Sequence, residues 1–358
     1  MALEMHSFII KRDGPKLGWD SKSEQLMDEI GDHVQFLVSI DNIRPDVITK
    51  AVETLPDLRH LSFEFSASRS TAQADAFLEV ATRFGEMVAG LNVAFANNEC
   101  ADTLGDALRA TPNMRCLIFN YPSFSSRFVV NKVFRDTLPQ MKQLEKFSLY
   151  HSRMEDSASD VLKHLRWLHG LKELTLVKCG LLPSDGSRLG KLIEENPELT
   201  EIDLSYNKLE DDGLLYVFRV LRKSKVVKAR LLYNGGTHEC LRALLDGLLG
   251  NYITTKLDMI GNIIDQRGIQ YLVEFVSGNH TLQELLLSLR DISSEGIEAF
   301  FTGLRNNRGL RFIHVCDGGI TVANAKKYTG LLYGNTTLCY ISCDDGVIKN
   351  PGYVEIDE

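Results

Sequence analysis

The stretch from Leu199 to Leu209 reads Leu-Thr-Glu-Ile-Asp-Leu-Ser-Tyr-Asn-Lys-Leu, and its apolar spacing recurs along much of the chain. An apolar residue is followed three and five places later by two more, which in this stretch are Ile202 and Leu204. Equivalent phrases begin every 27 or 28 residues, at positions 144, 171, 199, 226, 254, 282, 310 and 338. A fixed period of this length indicates an array of stacked structural repeats.

The first part of each phrase is predicted to be a strand, because apolar residues alternate there with other side chains. The fourth and sixth places face the core, whereas the second, third and fifth places face outward. Eight places after the start, where the strand turns, four of the repeats have an asparagine or cysteine whose side chain can bond unpaired backbone groups. We interpret these residues as structural: Cys179, Asn207, Asn234 and Asn262.

The second part of each phrase changes to a helical period, with apolar residues at i, i+3, i+4 and i+7. One such stripe consists of Leu214, Val217, Phe218 and Leu221. Because a helix is wider than a strand, stacked helices would curve the array and lie on its outer side. An asparagine stands three residues before five of the starts, where we expect a helix C-cap in the left-handed conformation. These residues are Asn196, Asn251, Asn279, Asn307 and Asn335.

The complete pattern L-x-x-L-x-L-x-x-(N/C)-x-L, found at 171–181 and 199–209, resembles the leucine-rich repeat. The longer phrase 196–213 is similar to the repeat of the ribonuclease-inhibitor-like subfamily, which includes Ran GTPase-activating proteins and the sensor domains of intracellular immune receptors. The resemblance implies an α/β leucine-rich-repeat solenoid of horseshoe shape, with parallel strands on the concave face and helices on the convex face. It identifies the class of repeat and not a particular member.

The pattern also predicts how the chain is divided. Residues 144–346 carry the regular 27–28-residue repeats, and residues 33–143 are predicted to form divergent repeats with strands beginning near His33, Leu58, Val88 and Met114. Residues 1–32 would supply an N-terminal cap, because the end of a solenoid must be covered. Residues 347–358 are predicted to be an acidic tail after a last strand that lacks a helix. That end could therefore support a homodimer or bind a partner.

Composition is that of an ordinary globular protein, with 358 residues, 44% hydrophobic, 25% charged and a net charge of −8. Seven cysteines without a C-x-x-C pair favour thiols in a reducing compartment. The N-terminus lacks a secretory apolar core, and no apolar stretch approaches the length that spans a bilayer. We therefore expect a cytoplasmic protein without membrane insertion.

The outward strand positions are the expected binding surface, because the scaffold holds them rigidly. Their charges are mixed, as Asp203, Arg230 and Asp258 illustrate, and this disfavours a nucleic-acid groove, which needs a concentrated basic stripe. Large side chains gather near the C-terminal end, and they are the usual anchors of protein interfaces. The hypothesis is a partner-binding patch that includes Leu286, Arg311, Phe312, His314 and Tyr340, together with the charged residues Asp203, Arg230 and Asp258. Alternatively, the tail or a homodimer contact covers these residues.

Signatures of enzymes are sparse. His314, Cys316 and Asp344 could approach one another at strand ends, but repeat spacing alone establishes neither a metal site nor a catalytic thiol. We predict no catalytic residue, no cofactor and no metal. The expected function is a non-enzymatic scaffold or adaptor that binds a protein partner through the concave sheet. Two alternatives remain open: a small-GTPase regulator, which the family resemblance implies, and a pathogen effector that binds host proteins.

Overall fold

The computed structural model describes residues 8–11, 17–18, 34–39, 45–54, 58–65, 71–93, 96–122, 127–152, 158–317 and 319–353. The chain divides between Glu173 and Leu174 into two compact units. Strands and helices alternate along both units, which confirms the predicted α/β leucine-rich-repeat solenoid. Most of the predicted N-terminal cap, at residues 1–7, 12–16 and 19–32, and the tail residues 354–358 lie outside the described residues.

The first unit contains a sheet whose described strands follow the order β2-β1-β3-β4-β5-β6-β7. The strands β3 to β7 are parallel, whereas β1 runs antiparallel to both of its neighbours. The strands are β1 (Phe8–Lys11), β2 (Leu17–Gly18), β3 (Val34–Ser39), β4 (Leu58–Phe65), β5 (Val88–Val93), β6 (Cys116–Asn120) and β7 (Lys146–Tyr150). The helices are α1 (Pro45–Thr54), α2 (Thr71–Phe84), α3 (Ala101–Arg109), α4 (Arg127–Phe134) and α5 (Ala158–Leu165).

The second unit holds one strand and one helix for most repeats, and its strands are neighbours in chain order from β8 to β15. The strands are β8 (Glu173–Val177), β9 (Glu201–Asp203), β10 (Lys228–Arg230), β11 (Lys256–Ile264), β12 (Glu284–Leu289), β13 (Phe312–Cys316), β14 (Tyr340–Cys343) and β15 (Gly346–Lys349). The helices are α6 (Gly186–Glu195), α7 (Glu210–Leu221), α8 (His238–Leu248), α9 (Ile269–Gly278), α10 (Ser294–Arg305) and α11 (Val322–Ala325). A 3₁₀ helix, Lys326–Leu332, follows α11.

The core lies between the sheet and the helices. The inward strand residues Ile202 and Leu204 are almost completely buried, as the alternation predicts. The helical stripe that contains Val217 and Phe218 is equally buried on the facing side. Each fully buried side chain of this kind contributes about 1.5–3 kcal/mol through the removal of apolar surface from water. The alternation therefore fixes which strand side chains face the helices and which face away.

The turn asparagines are structural, as predicted. The side chain of Asn207 is buried, and its Oδ1 accepts hydrogen bonds from the backbone N–H groups of Cys179 and Leu181 in the preceding repeat. Its Nδ2 donates to the carbonyl oxygens of Leu176 and Leu204 at 2.7 Å. Asn262 makes the same set of hydrogen bonds in a later repeat, because its side chain bonds backbone groups of both its own repeat and the preceding one. Each of these side chains thus satisfies polar groups that the turn removes from the strand ladder.

The second set of asparagines does not adopt the predicted conformation. None of the five residues has a positive φ, and Asn279 has φ −87° and ψ 119°, so the expected left-handed cap is wrong. Instead, the buried Asn279 side chain donates to the carbonyl of Leu248 and accepts from the N–H groups of Thr281 and Leu282. Asn307 donates to the carbonyl of Asn279, which extends the chain of bonds to the next repeat. Asparagine is needed here for its donor and acceptor groups and not for its tolerance of positive φ.

The C-terminal end also differs from the expectation of a bare last strand followed by a tail. Residues 346–349 form β15, which pairs antiparallel with β14. Beyond it, the side chain of Asn350 donates to the carbonyls of Asn335 and Leu338, and its own Oδ1 accepts from the N–H of Gly352. Asn350 therefore occupies the place that the next repeat asparagine would otherwise take. The wider division into cap, divergent repeats, regular repeats and tail stays a prediction.

Replacing Asn207 by Ala should lower the free energy of unfolding by about 3 kcal/mol or more. The change leaves several buried backbone groups without a hydrogen-bond partner, and each such group costs about 1–3 kcal/mol. Urea unfolding followed by circular dichroism measures the difference. The matched control is Lys208→Ala at the adjacent exposed side chain, which should change the value by no more than about 0.5 kcal/mol. Equal effects of the two substitutions would contradict the structural role of Asn207.

Candidate functional site

The side chains that point away from the helices of the second unit form a surface that we call the open face. Parallel pairing places the fifth repeat positions opposite one another, since Arg230 pairs with both Asp203 and Asp258 in the strand register. The same register continues through β12, β13 and β14. One row of the open face therefore consists of Asp203, Arg230, Asp258, Leu286, His314 and Ser342.

A second row lies beside the first, two residues earlier on each strand. It consists of Glu201, Lys228, Lys256, Glu284, Phe312 and Tyr340. The structure thus places the candidate residues in two adjacent rows, except for Arg311, which is exposed and precedes β13. Whether these residues bind a partner stays a prediction.

The charged end of the open face is internally paired. Lys228 lies 3.6 Å from Glu201, and Lys256 lies 2.7 Å from Glu284, both between side chains of neighbouring strands. Arg230 approaches the carboxylate of Asp203 at 3.8 Å. Exposed pairs of this kind contribute only about 0–1 kcal/mol each, so their main effect is to leave little unbalanced charge in this region.

Asp258 is the exception in the first row. Burial raises the pKa of its carboxyl above the ordinary value, and the carboxylate of Asp203 acts in the same direction. The N–H of Ile260, which donates to Asp258 Oδ1 at 3.1 Å, and the guanidinium of Arg230 oppose that rise. The ionised form of Asp258 is therefore incompletely compensated, and an additional cation placed beside it would be favourable.

The apolar end of the open face begins where the ion pairs stop. The rings of Phe312 and Tyr340 are in contact, with centroids 5.0 Å apart and planes inclined by 59°. Tyr340 is 41% exposed, and Phe312 is half-buried. Leu286, also half-buried, lies in the other row, where it pairs with His314. We call Leu286, Phe312 and Tyr340 the anchor cluster.

Three potential ligand side chains meet at the carboxyl ends of β13 and β14. One side-chain ligand atom from each of His314, Cys316 and Asp344 lies within 4.8 Å of the others. Burial, together with the nearby carboxylates, raises the pKa of the Cys316 thiol above its ordinary value, although the hydroxyl of Ser288 lowers it in part. The proximity that repeat spacing left undecided is therefore present, while the thiol lacks the depressed pKa of a cysteine nucleophile.

The sequence reasoning missed a pair of aromatic residues at the strand turns. Tyr206 and Tyr233 have φ values of 60° and 49°, and their rings stack at 5.0 Å with planes 17° apart. Each is about half exposed, at 50% and 49%. Both stand one residue before a turn asparagine. The recurrence of an aromatic residue at that place was the available signal, but the left-handed backbone that aligns the rings is not visible in a hydropathy pattern.

Gly261 occupies the same place in the next repeat, with φ +77°. A Cβ atom at this position would lie 2.3 Å from Cδ1 of Tyr233, so the tyrosine ring lies flat against the glycine backbone. The missing side chain of Gly261 therefore determines how closely the stack can approach β11.

A separate aromatic contact occurs in the first unit. Tyr121 and His151 stack with centroids 4.7 Å apart, and both have positive φ values. In its own repeat, each residue lies one position before the strand turn. Ring stacking at this place is thus a property of more than one pair of repeats.

The repeat architecture identifies the chain as a leucine-rich repeat protein, and the comparisons with known proteins agree. A family model described as "Leucine Rich repeat" matches residues 195–218, which include the stretch that begins at Leu199. The matched segment contains β9 and most of α7, with the turn asparagine between them. The comparisons do not assign the ribonuclease-inhibitor-like subtype.

Several curated relatives carry leucine-rich repeats in their names. The chain is 25% identical over 231 residues to mouse (Mus musculus) "NACHT, LRR and PYD domains-containing protein 4E", covering 63% of this chain and 21% of the relative. It is 27% identical over 165 residues to human (Homo sapiens) "NACHT, LRR and PYD domains-containing protein 5", covering 45% and 14%. The chain thus spans about a fifth or less of these relatives, and the likeness concerns a part of each.

Solved structures that match the chain include an internalin, inlF, from Listeria monocytogenes. Its TM-score is 0.48 and its sequence identity is 13%, over 96% of this chain and 88% of that chain. A chain of the complex of Rad7 and Elc1 in yeast matches with a TM-score of 0.45 and 15% identity, over 84% of this chain and 76% of that chain. Among the described residues, no helix has both the length and the apolar character needed to cross a membrane.

Replacing Gly261 by Ala should lower the free energy of unfolding by about 1–2 kcal/mol, because the added methyl group overlaps the Tyr233 ring on a backbone with positive φ. Urea unfolding provides the measurement. Gly330→Ala is the matched control, since a Cβ there meets nothing within 4 Å. A Gly261 variant as stable as the Gly330 variant would show that Tyr233 does not rest on this glycine.

Proposed function

We propose that the chain is a non-enzymatic scaffold that binds a protein partner through the open face, with the anchor cluster as the centre of the contact. The observation that carries the proposal is the Phe312–Tyr340 ring contact, presented on two adjacent parallel strands with Tyr340 41% exposed. Aromatic residues bury a large area and lose little rotamer freedom, so they dominate the energy of many protein interfaces.

The charges of the open face support a protein partner over a nucleic acid. The basic side chains Lys228, Lys256 and Arg230 each lie within 4 Å of a carboxylate, so they form no stripe that would neutralise successive phosphates. A cation beside Asp258 would be stabilised by its carboxylate, and Asp258 is the neighbour of Leu286, a residue of the anchor cluster, in the first row. The partner that fits is a polypeptide with an apolar side chain for the anchor cluster and a neighbouring Lys or Arg for Asp258.

The thiols support the non-enzymatic assignment. Burial raises the pKa of Cys343 to about 11 and also raises that of Cys240, so both are protonated at neutral pH. A cysteine nucleophile needs the opposite shift. We place the protein in the cytoplasm, in keeping with its seven cysteines without a disulfide.

The test is affinity capture with the full chain, comparing wild type with the double variant Phe312→Ala/Tyr340→Ala. Loss of both rings should weaken a specific partner by about 2 kcal/mol or more, which is roughly 30-fold in Kd. The matched control is Tyr206→Ala/Tyr233→Ala, which removes another exposed aromatic pair of the same unit that lies at the turns and outside the open face.

A partner that the first variant loses and the control retains, with its affinity then measured on purified proteins, supports the proposal. Retention by the first variant with loss by the control would move the contact to the turns and overturn the proposed face. Sedimentation of the purified chain tests the homodimer alternative, since self-association abolished by Phe312→Ala/Tyr340→Ala would mean that a second copy occupies the cluster.

A further inference from the structure

The strands β13 and β14 also bring together a cluster of potential metal ligands, whose chemistry differs from that of the anchor cluster. His314 and Cys316 are two residues apart on β13, so their side chains leave the same side of the strand. The β13–β14 register pairs Val315 with Cys343, which puts Asp344 beside Cys316 on the neighbouring chain segment. Three different repeat positions therefore deliver a nitrogen, a sulfur and an oxygen to one place.

The distances suit a metal ion. The three ligand atoms lie within 4.8 Å of one another, whereas ligands at about 2.0–2.3 Å from a tetrahedral Zn²⁺ stand roughly 3.3–3.8 Å apart. The difference is about 1 Å, which small side-chain rotations supply. His314 and Cys316 are half-buried and Asp344 is exposed, so an ion can reach the site from solvent.

The surroundings favour a cation and hold the sulfur in place. The carboxylates of Asp317, Asp344 and Asp258 place negative charge near Cys316, and Asp317 Oδ2 lies 4.0 Å from its Sγ. On the other side, Ser288 is buried with its Oγ 3.1 Å from Sγ. Because Ser288 Oγ already accepts the N–H of Gly261 at 2.8 Å, its own hydrogen can point to a thiolate.

We propose that His314, Cys316 and Asp344 form a binding site for a divalent transition-metal ion, with Zn²⁺ as the best fit. The combination of imidazole, thiolate and carboxylate suits this borderline-soft ion better than Mg²⁺ or Ca²⁺, which prefer oxygen ligands. Binding replaces the S–H bond of Cys316 with a sulfur–metal bond and releases the proton to solvent. Three protein ligands leave a fourth position for water or for the nearby Asp317.

The experiment uses the full chain, freed of metal with a chelator and kept reduced with a thiol-free reductant, and titrated with Co²⁺ as a spectroscopic probe. One equivalent should produce an intense thiolate-to-Co²⁺ charge-transfer band in the near ultraviolet, and Zn²⁺ should abolish it by displacement. Competition with a chromophoric chelator gives the Zn²⁺ affinity.

Cys316→Ser should abolish the band and weaken Zn²⁺ binding more than about 100-fold, since loss of a direct ligand exceeds the effect of an outer-shell change. Asp344→Asn should keep the band and weaken binding at least about 10-fold. The matched control is Cys339→Ser, which alters another half-buried thiol at the same end of the unit and should change neither value. A band that persists in Cys316→Ser, or that disappears in Cys339→Ser, overturns the assignment, as does the absence of a band in the wild type.

Two further readouts keep the result decisive. Circular dichroism of each metal-free variant establishes that it is folded, and should Cys316→Ser not fold, alkylation of wild-type Cys316 can be followed by mass spectrometry. Zn²⁺ should slow that alkylation at least 10-fold while leaving Cys339 unchanged, and equal rates would refute the site. The variant Phe312→Ala/Tyr340→Ala should retain the Co²⁺ band, so the test of the metal site does not depend on the test of the anchor cluster.

Discussion

The hydrogen bonds that buried asparagine side chains make between successive repeats are the interaction on which the second unit depends. Strands as short as β9 and β10, with three residues each, offer few ladder bonds, and the chain then turns with its backbone groups unpaired. Asn207 bonds Cys179 and Leu181 of the repeat before it while also holding Leu204 of its own. Each repeat is therefore fixed relative to the last one by polar groups that would otherwise be costly to bury.

That constraint sets the register, and the register creates the surface. When every strand starts at the same height, equivalent side chains stand in rows about 4.8 Å apart. Side chains as far apart in sequence as Phe312 and Tyr340 then touch, and the same spacing brings Asp344 beside Cys316. The anchor cluster and the ligand cluster are consequences of one geometry, although they differ in chemistry.

Much of this organisation is readable from the sequence because it depends on local periodicity. The inward position of Leu204 and the role of Asn207 follow from a spacing that recurs across the repeats. The place of Arg311 outside the two rows does not follow from the pattern, because Arg311 precedes β13 and the alternation of the strand does not govern its side chain. The approach of His314 to Cys316 could be foreseen as an option, but interatomic distances could not.

The remaining features depend on backbone conformation that hydropathy does not encode. The stacking of Tyr206 on Tyr233 requires positive φ at both residues. The antiparallel strand β15 is a short segment without a repeat signal, and Asn350 acts outside the repeat period. Asn279 was placed correctly at the end of a helix, but its conformation was wrong because two explanations, positive φ and side-chain hydrogen bonding, favour the same residue type.

The central claim is that the open face near β13 and β14 contacts a protein. It is tested most directly by site-specific photo-crosslinking in cells, with the reactive amino acid at Ser342 on the open face or at the exposed Tyr216 on α7. The account predicts a discrete crosslinked species from position 342 and none from position 216. A crosslink formed only from position 216 would show that the partner binds the helices, and would contradict the account.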